Sequence, residues 1–315
     1  MYSDCSNCLP VFIHVILREK MKVGGTRMIY RLLAINIDGT LLQSNGRIQR
    51  STREAVEYVQ SKGIYVTLVT SRSFPSAKKV AKALKLDSYL VTHRGAYIAS
   101  SIEQPLLVKR ISEDITFELV RLLEAFHCQI RLVNDRYSLA NRSRVSNNLL
   151  AKTVFSSGDP VFYSQQFVES LSDAISEEPC SPPKIEVFFE KKEDLQDAKQ
   201  AIYTMYDEVD TLQLDDLRLE IVPKGVSKLT GLLYLGERLG VKRGEMVVIA
   251  DAIDDIDMIE KVGLGVAMGN APVEVKKAAD WVTRSNNENG VGYVVKEHFR
   301  KQQPIEFLKK MNIIK

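Results

Sequence analysis

The chain has 315 residues, 45% hydrophobic and 26% charged, with a formal net charge of +3. That length buries one large or two ordinary domains, and the composition is that of a soluble globular protein. A charge so small, with no basic run beyond a few residues, argues against a nucleic-acid partner. Cys5, Cys8, Cys128 and Cys180 form no disulfide framework, which fits a reducing cytoplasm. Cys5-x-x-Cys8 has neither a second pair nor a preceding strand, so zinc or redox chemistry is a weak reading of it. The apolar run from Leu9 to Leu17 is too short to span a bilayer, and no basic region precedes it as in a signal peptide. Residues 1–27 look unlike the rest and read as an N-terminal extension before a natural start at Met28. No membrane partner is expected.

From Met28 strand and helix patterns alternate. Leu32-Leu33-Ala34-Ile35 is an apolar run fit for one buried parallel strand, and it ends in the polar tip Asn36-Ile37-Asp38-Gly39-Thr40. Period-2 alternation points Asn36 and Asp38 to one side, and Gly39 allows a sharp turn. Ser51-Thr52 is expected to cap a helix reaching about Lys62, which Gly63 stops. Ile64 to Val69 is a second strand ending in Thr70-Ser71-Arg72. A helix over about 75–85 leads to a strand at 88–92, followed by Tyr97-Ile98 and a hairpin-like stretch to Val108.

A different rhythm begins near Arg110. Ser112 caps a helix over about 113–126, and two strands follow at 128–133 and 137–140. A polar helix and a loop with Pro179, Pro182 and Pro183 come next. Then Ile185 to Phe189 alternates as a strand, a helix covers about 193–206, and strands fill 209–214 and 217–222. Strands joined by hairpins and covered by helices on one face make an inserted α+β module. The βα rhythm returns at Pro223: a helix at 227–239, a strand at 246–250 ending in Asp251, helices at about 254–261 and 271–278, and short strands at 264–267 and 281–283. The fold class expected is α/β. A parallel-sheet core is formed by residues 28–108 and 223–315, with an α+β cap at 109–222.

Four strand tips, far apart in sequence, carry the chemistry. Asn36-Ile37-Asp38-Gly39-Thr40 resembles motif I, Asp-x-Asp-Gly-Thr, of the haloacid dehalogenase (HAD) phosphatases. Thr70-Ser71-Arg72 resembles motif II, and Pro223-Lys224-Gly225-Val226-Ser227-Lys228 resembles Pro-Lys-Gly-x-Ser-Lys. Ala250-Asp251-Ala252-Ile253-Asp254-Asp255 resembles Gly-Asp-x-x-Asn-Asp. Val266 to Ala271 and Asn289-Gly290-Val291 match the family's C-terminal part. Together with the long insertion, the likeness over about 30–300 is to the Cof-type phosphatases with a type-IIB cap, built on a Rossmann-like core.

That resemblance implies Mg²⁺-dependent hydrolysis of a small phosphorylated metabolite, such as a sugar phosphate. The implied catalytic positions are Asn36, where the family has its nucleophilic Asp, Asp38 as acid/base, and Lys228. Ile37, Thr70, Ser71, Arg94 and Asp254 fall at phosphate-contacting positions, and Asn36, Asp38, Asp251 and Asp255 at the metal site. The residue types suit the chemistry. Phosphoryl transfer needs positioning and spread positive charge, and Mg²⁺ takes hard oxygens while keeping several waters.

The chain departs from the pattern at the centre. Asn36 is a very weak nucleophile. Asp254 puts a carboxylate where the family's Asn touches phosphate, and Arg94, Ser71, Ala250 and Asn289 replace Asn, Gly, Gly and Asp. Carboxylates remain at 38, 251, 254 and 255, so the count is kept while one charge has moved. Two readings stay open: a phosphatase impaired by Asn36 and Asp254, or a non-catalytic descendant that binds a ligand or regulates. Arg131, Arg136, Arg142 and Arg144 are either anion-binding or solvated surface. His93 and His127 lack partners at ligand spacing, and Trp281 reads as core.

Overall fold

The computed structural model describes residues 28–101, 103–142 and 164–314. The expected N-terminal extension, Cys5-x-x-Cys8 and Arg144 lie outside the described residues. Strand β1 (Leu32–Ile35) is an inner strand of a five-stranded parallel sheet. It pairs on one side with β2 (Tyr65–Leu68) and on the other with β12 (Met246–Ala250). The sheet continues through β13 (Leu264–Ala267) to β14 (Trp281–Val282). Both faces are covered, so β1 and β12 are buried at every position and read as unbroken apolar runs. Helix α1 (Arg50–Ser61) follows β1, and α2 (Phe74–Ala83) follows β2.

A small antiparallel sheet extends the same layer. It contains β3 (Leu90–Thr92), β4 (Tyr97–Ala99) and β5 (Pro105–Val108), and a parallel bridge from Val69 to Val91 links it to the end of β2. The inserted module holds a six-stranded sheet in the order β10-β11-β9-β6-β7-β8. These strands are β6 (Cys128–Val133), β7 (Tyr137–Asn141), β8 (Ser164–Val168), β9 (Lys184–Phe189), β10 (Val209–Gln213) and β11 (Arg218–Pro223). Helices α3 (Glu113–Leu123), α4 (Leu171–Glu177) and α5 (Lys192–Met205) pack on one face, around Leu119, Val120, Leu195 and Ile202.

Several details differ from the sequence reading. Helix α1 starts one residue before Ser51: Gln49 precedes it without a side-chain cap, and Thr52 instead donates from Oγ1 to Asn289 Oδ1 at 3.2 Å. Helix α3 ends at Leu123, short of 126, although Ser112 does cap it. Strand β8 falls where a polar helix or loop was expected. Its Ser-Gln-Gln-Phe-Val sequence has no clear alternation, and it is a largely exposed strand held by parallel pairing to β7. Trp281 sits at the edge of the core, stacked on Tyr293 with ring centroids 5.4 Å apart.

Candidate active site

The carboxyl ends of β1, β2 and β12 lie side by side, the usual ligand position in such sheets. Asn36 N donates to Ile249 O at 3.0 Å, which fastens the tip of β1 to that of β12. The chain then makes a wide turn, with Leu41 N bonded to Asn36 O and Leu42 N to Ile37 O. Gly39 stands at φ +69°, and a Cβ there would lie 1.9 Å from Asp251 Oδ2. Glycine is therefore required both by conformation and by the close approach of Asp251. Thr40 Oγ1 donates to Asp251 Oδ1 at 2.6 Å, and Asn36 Nδ2 to the same oxygen at 3.2 Å. Asn36 Nδ2 also reaches Asp38 O at 3.1 Å.

Arg72 forms a two-pronged bond to Asp38, with Nε to Oδ2 at 2.7 Å and Nη2 to Oδ1 at 2.5 Å. The Asp38 side chain remains 51% exposed towards the cavity. Thr70 is buried, and its Oγ1 accepts from Arg72 N at 3.1 Å, which sets the turn that aims Arg72. The side chain of Ile37 packs in the core, so any contribution to the site is through its backbone.

On the other side, Ser227 caps helix α6 (Lys228–Arg238) and so directs Lys228 from the first turn. Lys228 Nζ bonds Asp255 Oδ1 at 2.8 Å and Asp254 Oδ2 at 2.9 Å. The start of α6 lies tight against the turn after β3. A Cβ on Gly95 would come within 2.2 Å of Ser227 O. His93, Arg94 and Gly95 all have positive φ (48°, 61° and 102°), a run that persists only where its surroundings fix it. This turn carries Arg94 into the site. Arg94 bonds Asp254 through Nη1 at 2.5 Å and Glu220 of β11 through Nε.

The two departures at 94 and 254 are therefore one ion pair. Burial alone would raise the Asp254 carboxyl, but Lys228 and Arg94 hold it below the usual range. Burial acts to raise Asp255, and the neighbouring Asp254 charge adds to this against the pull of Lys228. Asp251 is pushed up to about 6, first by burial.

The ionic chain runs on into the cap. Lys184 of β9 bonds Glu220 at 3.1 Å, Glu186 at 2.6 Å and the Ser71 carbonyl at 2.9 Å. Arg131 joins Glu186 at 3.1 Å and is buried rather than facing ligand. Arg136 is exposed, and Arg142 pairs with Glu169 at the surface. Lys184, Glu186 and Glu220 escaped the sequence reading. The signal was there: Lys184 and Glu186 are charged, same-face residues in an otherwise apolar strand.

Asn36, Asp38, Ser71, Arg94, Lys228, Asp251 and Asp254 all line one cavity of about 670 Å³ between the sheet ends and the cap strands β9, β10 and β11. A family model for haloacid dehalogenase-like hydrolases matches residues 33–295. The chain belongs to that family. Its membership is of the Cof type, an α/β fold with a type-IIB cap. It is 52% identical to the stress response protein YhaX of Bacillus subtilis, over 91% of this chain and 99% of that one. It is 28% identical to 5-amino-6-(5-phospho-D-ribitylamino)uracil phosphatase YcsE of the same organism, over 88% of this chain and 98% of that one. The solved structure of the HAD subclass IIB sugar phosphatase BT4131 superposes with a TM-score of 0.69 at 21% identity, covering 90% of this chain and all of that one.

The donor set for a divalent cation can be tested on this geometry. Asp38 O and Asp251 Oδ1 both converge on Asn36 Nδ2. Rotating that amide by half a turn presents its oxygen instead, giving three hard oxygens with open space for waters, which suits Mg²⁺. The carboxylates of Asp38 and Asp255 are engaged by Arg72 and Lys228. Among the described residues no three His, Cys, Asp or Glu side chains form a metal cluster, so the carbonyl and the amide are needed.

His93 is fully buried beneath this network and is lowered to about 3, first by burial and then by Lys184. Its imidazole stays neutral in the folded state, while the unfolded chain takes up a proton below about 6.5. That contribution to stability is whole above pH 6.5 and declines as the pH falls towards 3. Linkage gives a loss of about 2 kcal/mol between pH 7 and 5. His93→Asn, which keeps a residue tolerant of positive φ, should lessen the loss by that amount in urea titrations at the two pH values. An unchanged pH dependence would mean that His93 is not the group responsible.

Proposed function

We propose that the cavity binds a small phosphomonoester beside Mg²⁺, and that the protein is a phosphatase with slowed turnover. The observation carrying this reading is the convergence of Asn36, Asp38, Lys228 and Asp251 on one cavity beneath the cap. The domain boundaries we adopt are near 108 and 223. The name of the YcsE relative and the subclass of BT4131 support a phosphorylated metabolite as substrate. Sparse cysteines, with Cys128 and Cys180 free, agree with a cytoplasmic setting. No helix among the described residues is long and apolar enough to cross a membrane.

In this mechanism Asn36, the Asp38 carbonyl and Asp251 would hold the cation. When bound, Mg²⁺ supplies positive charge to the phosphoryl oxygens. Lys228 orients those oxygens as a point cation. Asp38, whose carboxylate is held by Arg72, takes a proton from a water that attacks phosphorus and passes it to the alcohol oxygen as the P–O bond to the alcohol breaks. Asn36 is the weak link, because a neutral amide attacks phosphorus poorly.

A second reading, ligand binding without turnover, is favoured by one observation: the Asn36 amide N–H bonds directly to Asp251. Phosphate release from a panel of phosphomonoesters with Mg²⁺ separates the two, using protein whose residue 36 is verified as Asn by mass spectrometry. Turnover supports the first reading; thermal stabilisation by an ester without turnover supports the second; neither response removes both.

The cation has its own test. Mg²⁺ should bind detectably by calorimetry, and Asp251→Asn should weaken it by about tenfold or more, since it removes the one carboxylate in the donor set. Unchanged affinity would mean that the cation is held elsewhere.

A further inference from the structure

The cap face of the cavity is divided. Residues directly opposite in paired strands share a face, and the register pairs Glu186 with Glu220, Phe188 with Arg218, and Leu212 with Glu220. The intervening residues Ile185, Val187, Phe189, Leu219 and Ile221 point into the cap core. One end of the cavity face is therefore ionic, around Lys184, Glu186 and Glu220, next to the sheet ends. Beyond it lie Phe188, Leu212 and Leu214, with Arg218 on the same face and tied to Asp215.

The opposing lip of the core is apolar. It presents Ile253 and Pro272, and Ile253 is 63% exposed and Leu214 38% exposed. Exposed apolar groups on both walls of one slot, continuous with a charged floor, mark a ligand-contacting surface rather than scattered surface residues. Polar groups suited to sugar hydroxyls are already engaged. Lys184, Glu186, Glu220 and Arg94 bond one another. Arg218 Nε bonds Asp215 Oδ2 at 2.5 Å, and Gln213 is bonded to Gln196 and Lys199. A hydroxyl-rich leaving group would have to break these pairs, whereas a flat apolar group would not.

We infer that the slot between Phe188, Leu212 and Leu214 on the cap and Ile253 and Pro272 on the core selects phosphomonoesters whose alcohol carries a flat, largely apolar ring. This rests on the phosphomonoester reading above. Phe188 meets the ring face, and Leu212 and Leu214 exclude water from its edge. Phe188 and Leu214 are the specificity-determining residues.

Benzyl phosphate and glucose 6-phosphate are both primary alkyl phosphates, so their comparison isolates the alcohol. In calorimetric titrations with Mg²⁺, benzyl phosphate should bind about tenfold more tightly than glucose 6-phosphate. Phe188→Ala and Leu214→Gln should each reduce that preference at least about threefold, leaving glucose 6-phosphate affinity within about twofold. Leu214→Gln is at an exposed position and keeps the test sound should Phe188→Ala fold poorly. Equal affinities in the native protein, or a preference that both variants leave intact, overturn the ring inference while the phosphomonoester reading stands. Failure of both esters and of orthophosphate to bind overturns that reading, and this inference with it.

Discussion

Asn36→Asp should raise Mg²⁺-dependent turnover of p-nitrophenyl phosphate by at least about 10²-fold, because it returns an anionic nucleophile to the tip of β1. The gain has a ceiling. The new carboxylate would lie close to Asp251, already pushed up to about 6, so part of the pair would carry a proton at neutral pH. Asp254→Asn alone leaves no nucleophile, yet it releases Lys228 and Arg94 from an internal anion. That variant should bind orthophosphate more tightly without turning esters over. The double change should then exceed the sum of the single effects in free energy, as expected for groups acting as one unit. Equal turnover in the native protein and the double variant would mean that residues 36 and 254 do not govern phosphoryl transfer here. A double variant that is inactive but binds Mg²⁺ would direct attention to Arg94 and the cap.

Loss of Arg94 should be among the most destabilising single changes in the molecule. Arg94 is buried and joins Asp254 of the core to Glu220 of the cap. Arg94→Ala would leave both carboxylates buried with only Lys228 and Lys184 beside them. Removing one member of such a network costs about 3–5 kcal/mol, much more than an exposed pair. Arg94→Asn combined with Asp254→Asn removes a cation and an anion together, and should cost clearly less than Arg94→Ala. Urea denaturation of these variants in a double-mutant cycle measures the coupling. A loss below about 1 kcal/mol for Arg94→Ala would show that the chain of charges does not fasten cap to core. Both experiments address one structural fact: the unusual residues at 94 and 254 answer each other.

By itself the sequence determined the class of the fold and which motif residues would share one cavity. Local pattern is enough for that. An apolar run such as Leu32 to Ile35 makes a buried strand wherever it packs, and Gly39 or Ser227 marks a turn or a cap from its own chemistry. The family's motifs, read in order, place Asn36, Thr70 and Asp251 just past the ends of β1, β2 and β12 and Lys228 at the start of α6, and these residues lie there. The tertiary structure decided which side chains are partners. Asp254 read as a repulsive charge at the phosphate position, and its offset by Arg94 depends on a contact across 160 residues. Arg131 read as a candidate anion ligand, and it is buried against Glu186 on a neighbouring strand. Strand β8 exists because β7 offers it an edge, and nothing in Ser164–Val168 announces that. The physical reason is common to all three. Ion pairs and edge pairing are long-range interactions, and their energy depends on burial and on which strands become neighbours. Those quantities are set only when the whole chain has folded.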